Sequence, residues 1–193
     1  MKGRPRLHHS ERIINKAQDL FWKKGYCATS LSELLEYTGA GSGSFYNTFK
    51  GGKKEVFRRA IQQRKHAFNE FHNKLEKSED ALEDIKKFFR SIAEEDLDAH
   101  QRGCIIVNTV IEMSNVDEDL KTEASLILTE VEQMWTDAIA QAQKDGRIEN
   151  QTNPEVLGKY LITFWCGLNT LRRLYPDKNV LAEQIEMHLA VLR

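Results

Sequence analysis

Two glycine-rich breaks, Thr38-Gly39-Ala40-Gly41 and Lys50-Gly51-Gly52, bracket a run of small polar residues. Ser42, Ser44, Tyr46, Asn47 and Thr48 bring hydroxyls, an amide and a methyl onto one short segment. Such groups suit hydrogen bonds to phosphate oxygens and base edges, and contact with a thymine methyl. Gly43 in their midst removes a side chain where a phosphate backbone would need to come close. The first sixty residues hold twelve Lys/Arg and five Asp/Glu, a formal +7, whereas the remainder carries −8. A basic head on an acidic body points to a polyanionic partner.

Other chemistry finds little support. There is no phosphate-loop motif, no G-x-S-x-G and no Glu-x-x-His pair. His66, His72, His100 and His188 form no i,i+4 pair with each other, and His8-His9 reads either as a metal-binding pair or, in preference, as tail, so no metal site or cofactor is expected. Cys27, Cys104 and Cys166 are far apart and odd in number, which fits a reduced, cytoplasmic setting. Cys104 precedes an apolar helix, so it reads either as a redox or electrophile sensor or as inert packing. No apolar run approaches the roughly 20 residues that cross a bilayer, and the basic, polar N-terminus is unlike a secretory signal.

The elements that position the polar run are helices. Of 193 residues, 40% are hydrophobic, 30% are charged and three are proline. This balance suits an all-α protein of about nine helices. Ser10 caps a first helix with Ile13, Ile14, Ala17, Leu20 and Phe21 inward, ended by Gly25. Ser30-Leu31-Ser32-Glu33 has the form of a capping box and opens a short helix over 31–37. A third helix spans 42–48, and a long one starts near Lys53 and runs to Leu75. Further helices are expected over 81–97, from 103 to about 115, over 118–144, from Asn153-Pro154 to Tyr175, and over 180–192. Two short helices joined by a break of about four residues have the spacing of a helix-turn-helix, whose second member enters the major groove. Phe45 and Phe49 read as core. The domain division is a DNA-binding head over 1–52 and a helical ligand-binding and dimerisation body over 53–193.

The residues Thr29-Ser30, then Thr38-Gly39-Ala40-Gly41-Ser42-Gly43-Ser44-Phe45-Tyr46-Asn47-Thr48-Phe49, then Lys53-Lys54-Glu55-Val56-Phe57 resemble the tetracycline-repressor (TetR) family. Its pattern reads T-S, A-G-V-S-x-G-x-L-Y-x-H-F and K-E-x-L. The likeness covers about residues 10–60 and includes Leu20-Phe21 and Gly25-Tyr26. Gly41 stands where the family often has a capping serine, which moves the start of the reading helix to Ser42. Asn47 and Thr48 replace common histidines, and Gly51-Gly52 is a less usual linker. The resemblance implies an operator-binding regulator, usually a repressor, and not an enzyme. It implies phosphate contacts at Thr29, Ser30, Lys53 and Lys54, backbone or base contact at Tyr46, and base reading by Ser42, Ser44 and Asn47. Arg4 and Arg6 are candidates for a minor-groove arm or for a solubilising tail.

Leu157, Tyr160, Leu161, Phe164, Trp165, Leu168, Leu171 and Tyr175 form an apolar stripe too broad for one neighbour, with Gly158 and Gly167 on it. Leu181, Ile185, Leu189 and Leu192 follow in the last helix. The stripe reads as core or as a pairing surface. The resemblance favours a homodimer through the last two helices, with Tyr160, Phe164, Gly167, Leu168, Leu171, Tyr175, Ile185 and Leu189 at the interface, which suits a palindromic double-stranded operator. It also implies an unidentified small-molecule effector in the body, with Phe68, Phe89, Cys104, Asn108, Glu112, Met113, Trp135 and Trp165 as candidate lining. Asn108 and Glu112 lie one turn apart on an apolar helix. They read either as ligand-orienting groups or as a satisfied core amide and an exposed helix end. Two other classes stay open: a helical enzyme, carrier or thiol sensor with weakened DNA reading, and an adaptor acting through protein contacts.

Overall fold

The computed structural model describes residues 4–175 and 177–193, with side chains from Ser10 onward. The side chains of Arg4, Arg6, His8 and His9, and Pro176 as a whole, therefore lie outside what is described. The head opens with α1 (Arg4–Lys24), α2 (Leu31–Thr38) and α3 (Ser42–Thr48). The long α4 (Gly52–Leu75) leads into α5 (Ala81–Ala93), α6 (Leu97–Arg102) and α7 (Ile105–Met113). Then come α8 (Glu118–Lys144), α9 (Pro154–Leu171), α10 (Lys178–Leu189) and a 3-10 turn, Ala190–Leu192. No strand occurs among the described residues.

Caps set these boundaries. Ser30 Oγ accepts the Glu33 amide at 3.1 Å, but the Glu33 carboxylate pairs with Lys24 at 2.5 Å. Only half of the expected capping box therefore forms. Gly39, at φ 71, ends α2 in a Schellman pair: its own N–H reaches the Glu36 carbonyl and Ala40 N reaches that of Leu35. Asp80, Asp117 and Asn153 cap α5, α8 and α9. Asp96 caps α6 through the Ala99 amide at 2.8 Å. This short helix breaks the single run expected to reach residue 97, because an aspartate whose side chain takes the amide three residues on nucleates a new start. α9 stops at Leu171 rather than Tyr175, and α10 begins at Lys178, capped by Asp177.

Packing follows the apolar faces. α1 packs on α2 and α4, α4 reaches α8, α8 lies between α7 and α9, and α10 covers α5. One connected core runs from Ile13 through Phe57, Phe89 and Trp135 to Leu192. α4 belongs to both ends, with Val56 and Phe57 buried near the head and Phe68 and Leu75 in the body. Among the described residues, no helix is long and apolar enough to cross a membrane.

Candidate nucleic-acid interface

α3 is seven residues long and its N-cap, Gly41, makes no side-chain capping bond. A helix this short does not stand alone. It is held by Phe45 and Phe49, both fully buried with ring centroids 5.3 Å apart. Full burial of such rings contributes about 1.5–3 kcal/mol each. That anchoring turns the opposite face outward: Ser42, Gly43, Ser44, Tyr46 and Asn47 are all exposed. Thr48 is half-buried and spends its hydroxyl on the Ser44 carbonyl at 2.9 Å. A Cβ at Gly43 would meet nothing within 4 Å, and its φ is not positive. The fold itself therefore does not require glycine there, although glycine costs a helix about 1 kcal/mol relative to alanine.

The loop before α2 departs from expectation. Thr29 is fully buried, its hydroxyl donates to the Gly25 carbonyl at 2.7 Å and its amide to that of Tyr26 at 3.2 Å. With both donors used and no exposed surface, Thr29 is a turn residue and not a phosphate contact. Ser30 stays exposed at the start of α2. Lys53 points back into the head. Its ammonium donates to the Tyr26 and Thr29 carbonyls at 3.0 and 2.8 Å and lies 4.0 Å from the Tyr26 ring centre. Lys54 pairs with Asp117 at 2.6 Å and Asp119 at 3.3 Å, tying α4 to the start of α8. Lys50, not among the expected contacts, is exposed beside α3 and pairs with no described residue. A basic residue two positions after α3 was the available signal.

The body residues named as pocket lining are packed. Phe89 lies 5.2 Å from Trp135, and Trp135 lies 6.3 Å from Trp165, ring centre to ring centre. Cys104 and Met113 are buried in the same core, and burial pushes the Cys104 thiol up, against a reactive thiolate. Phe68 borders a surface groove of 320 Å³ with Ile127, Val131 and Met134 between α4 and α8. Asn108 is satisfied at both ends: it donates to the Arg102 carbonyl at 3.2 Å and accepts from Arg173 at 2.8 Å. Glu112 faces away from the core and accepts the Tyr26 and Cys27 amides of the head. Both side chains thus have their partners within the chain.

At the far end, α9 and α10 enclose an apolar groove of 610 Å³, bordered by Tyr160, Phe164, Gly167, Leu171, Tyr175 and Met187 among others. Leu171, Tyr175 and Met187 are 51, 58 and 76% exposed. Two expected interface residues, Ile185 and Leu189, are instead buried in the chain's own core, because that face of α10 packs on α5, whereas Leu168 of α9 is buried but still lines the groove. Gly158 is likewise spoken for, since a Cβ there would strike the Thr136 hydroxyl. Gly167 differs: nothing lies within 4 Å of its Cβ position.

Comparison with known proteins decides what this arrangement belongs to. The family of bacterial regulatory proteins of the tetR type matches residues 13–60, and the tetracyclin repressor-like C-terminal domain matches residues 78–187. The repressor ComR of Escherichia coli strain K12 is 30% identical, over 89% of this chain and 83% of its own. The chain belongs to the TetR family. The repressor DhaR of Mycobacterium sp. strain GP1 is 26% identical over 94% of this chain and 89% of its own. A structure of the TetR-family regulator CifR with cysteine substitutions, bound to 26 base pairs of operator DNA, superimposes with a TM-score of 0.81. It shares 21% identity over 95% of this chain and 96% of that one, which establishes the shared fold. This TetR-family member is a DNA-binding transcriptional regulator and not an enzyme.

Proposed function

We propose that this TetR-family regulator is a cytoplasmic homodimer that represses transcription from a palindromic operator and leaves it when a small molecule enters the body. The observation that carries the reading is the division of α3, with Phe45 and Phe49 buried and Ser42, Gly43, Ser44, Tyr46 and Asn47 exposed. Ser42, Ser44 and Asn47 read bases, while Ser30, Tyr46 and Lys50 engage the backbone. The head comprises residues 1–52 and the body 53–193, with α4 leaving the head at Gly52. Support for pairing comes from the exposed apolar groove of α9 and α10 and from the open position at Gly167. A mid-helix glycine that no neighbour in the chain requires suits the close approach of a partner helix.

Support for an effector comes from the body core, where Trp135 Nε1, Trp165 Nε1 and Asn169 Oδ1 are buried without a hydrogen-bond partner. Such atoms cost stability, and a polar ligand that opens this packed core and pairs them recovers that cost. The effector must bind the released state better than the DNA-bound one, which sets the two reading helices about 34–36 Å apart. A mobility-shift titration against the promoter DNA flanking the gene tests the reading. Specific binding that weakens steeply with salt and is lost in Tyr46→Ala with Lys50→Ala supports it. Absent or salt-insensitive binding by the wild type overturns it.

A further inference from the structure

Glu112 belongs to the body, in the last turn of α7, yet its carboxylate accepts two backbone amides of the head. Tyr26 N lies 2.9 Å from Oε2 and Cys27 N 2.7 Å from Oε1. The turn is shaped to receive it. Gly25 has φ +85, and a Cβ there would lie 2.9 Å from Glu112 Oε1. Successive amides after a left-handed residue form a small anion-binding concavity, and bonds to a carboxylate are roughly twice as strong as neutral ones. The carbonyls of the same segment face the other way, where Lys53 of α4 takes those of Tyr26 and Thr29. The five residues that lead into α2 are thus gripped on their amide side by α7 and on their carbonyl side by α4. The start of α7 is tied to the head as well: Trp22 Nε1 of α1 donates to the Gly103 carbonyl at 3.0 Å.

We infer that Glu112 is a positioning residue for operator binding. It touches no DNA. It references the α1–α2 turn to the body, and the turn sets the angle at which α2 and α3 present their polar face. Two copies must place α3 in two half-sites at once, so a head released from this reference loses specific binding first. Non-specific binding depends on phosphate neutralisation and is far less sensitive to angle.

The full-length protein tests this with a duplex that the wild type itself selects from a random library. Glu112→Ala lowers affinity for that duplex by about tenfold, as expected for losing charge-assisted hydrogen bonds. Affinity for an unselected duplex stays level or rises slightly, because an acidic group has gone. Glu112→Gln removes the same charge but keeps an acceptor, and it recovers part of the loss. Amide exchange supplies a second readout: Tyr26 and Cys27 exchange faster in Glu112→Ala, while Leu34, Phe45 and Phe49 keep their protection. Unchanged affinity for the selected duplex overturns the inference. Loss of protection at Leu34, Phe45 and Phe49 also overturns it, since Glu112 would then be maintaining the head's fold rather than its placement.

Discussion

Gly43 has an open position in the folded chain and still occupies a helix. Gly43→Ala should therefore stabilise the head, by up to about 1 kcal/mol on propensity grounds. The same change should weaken operator binding if the exposed face of α3 is the reading face, because the new methyl stands on that face. A urea midpoint that rises while fluorescence anisotropy reports weaker binding is the expected pair of results. Tighter binding would show that the exposed face of α3 is not the reading face. The cysteines invite a second measurement at this scale. Burial pushes the Cys166 thiol up to about 11, and Cys104 is buried, whereas Cys27 is exposed. Iodoacetamide followed by mass spectrometry should modify Cys27 first and leave Cys104 to the unfolded protein. Cys166 alkylation should accelerate about tenfold per pH unit through the range below its pKa, as thiolate chemistry requires. Rapid labelling of Cys104 at neutral pH would instead revive a sensor role for it.

At the scale of elements, the tie between α4 and α8 has a definite pH dependence. The hydrogen bond from Lys54 holds the Asp117 carboxyl below its usual 3.8. A depressed carboxylate contributes its stability above the unfolded value and loses it as pH falls through the folded one. The tie should therefore be intact at neutral pH and fail only below about 4. Lys54→Met should lower stability at neutral pH and converge with the wild type below about pH 4, so that the acid side of the stability curve flattens. A change confined to alkaline pH would contradict this assignment. Helix positions were legible in the sequence wherever a cap and an apolar period coincided, as at Ser30, Asp117 and Asn153. The split into α5 and α6 was hidden, because Asp96 sits inside a charged stretch that a continuing helix tolerates equally well. At the site, the face of α3 could be read from its glycines, serines and aromatics. The inward turn of Thr29 and Lys53 could not, since both are polar types whose partners are backbone carbonyls. Glu112 was visible as an anomaly on an apolar helix, but its partners lie 85 and 86 positions earlier in the chain.

For the whole molecule, pairing and charge act together. Leu171→Glu combined with Met187→Glu places like charges on the exposed α9–α10 groove. Sedimentation should then show a monomer, and operator affinity should fall although the head is untouched. A dimer that persists would move the pairing surface elsewhere. A dimer of the kind proposed, with on the order of eight phosphate contacts, should lose about four decades of affinity between 50 and 200 mM salt. One feature of α3 reaches beyond this molecule. The Ser42, Ser44 and Asn47 side chains make no hydrogen bond to another described residue, and the helix is anchored from behind by two phenylalanines. Mutations at these three positions consequently carry almost no folding penalty. A duplicated gene could drift to a different promoter through them while its body, and whatever that body senses, stayed the same. On the proposed reading, inheritance of the signal and choice of target are separable, which makes the head a natural place for regulatory rewiring and a practical one for retargeting.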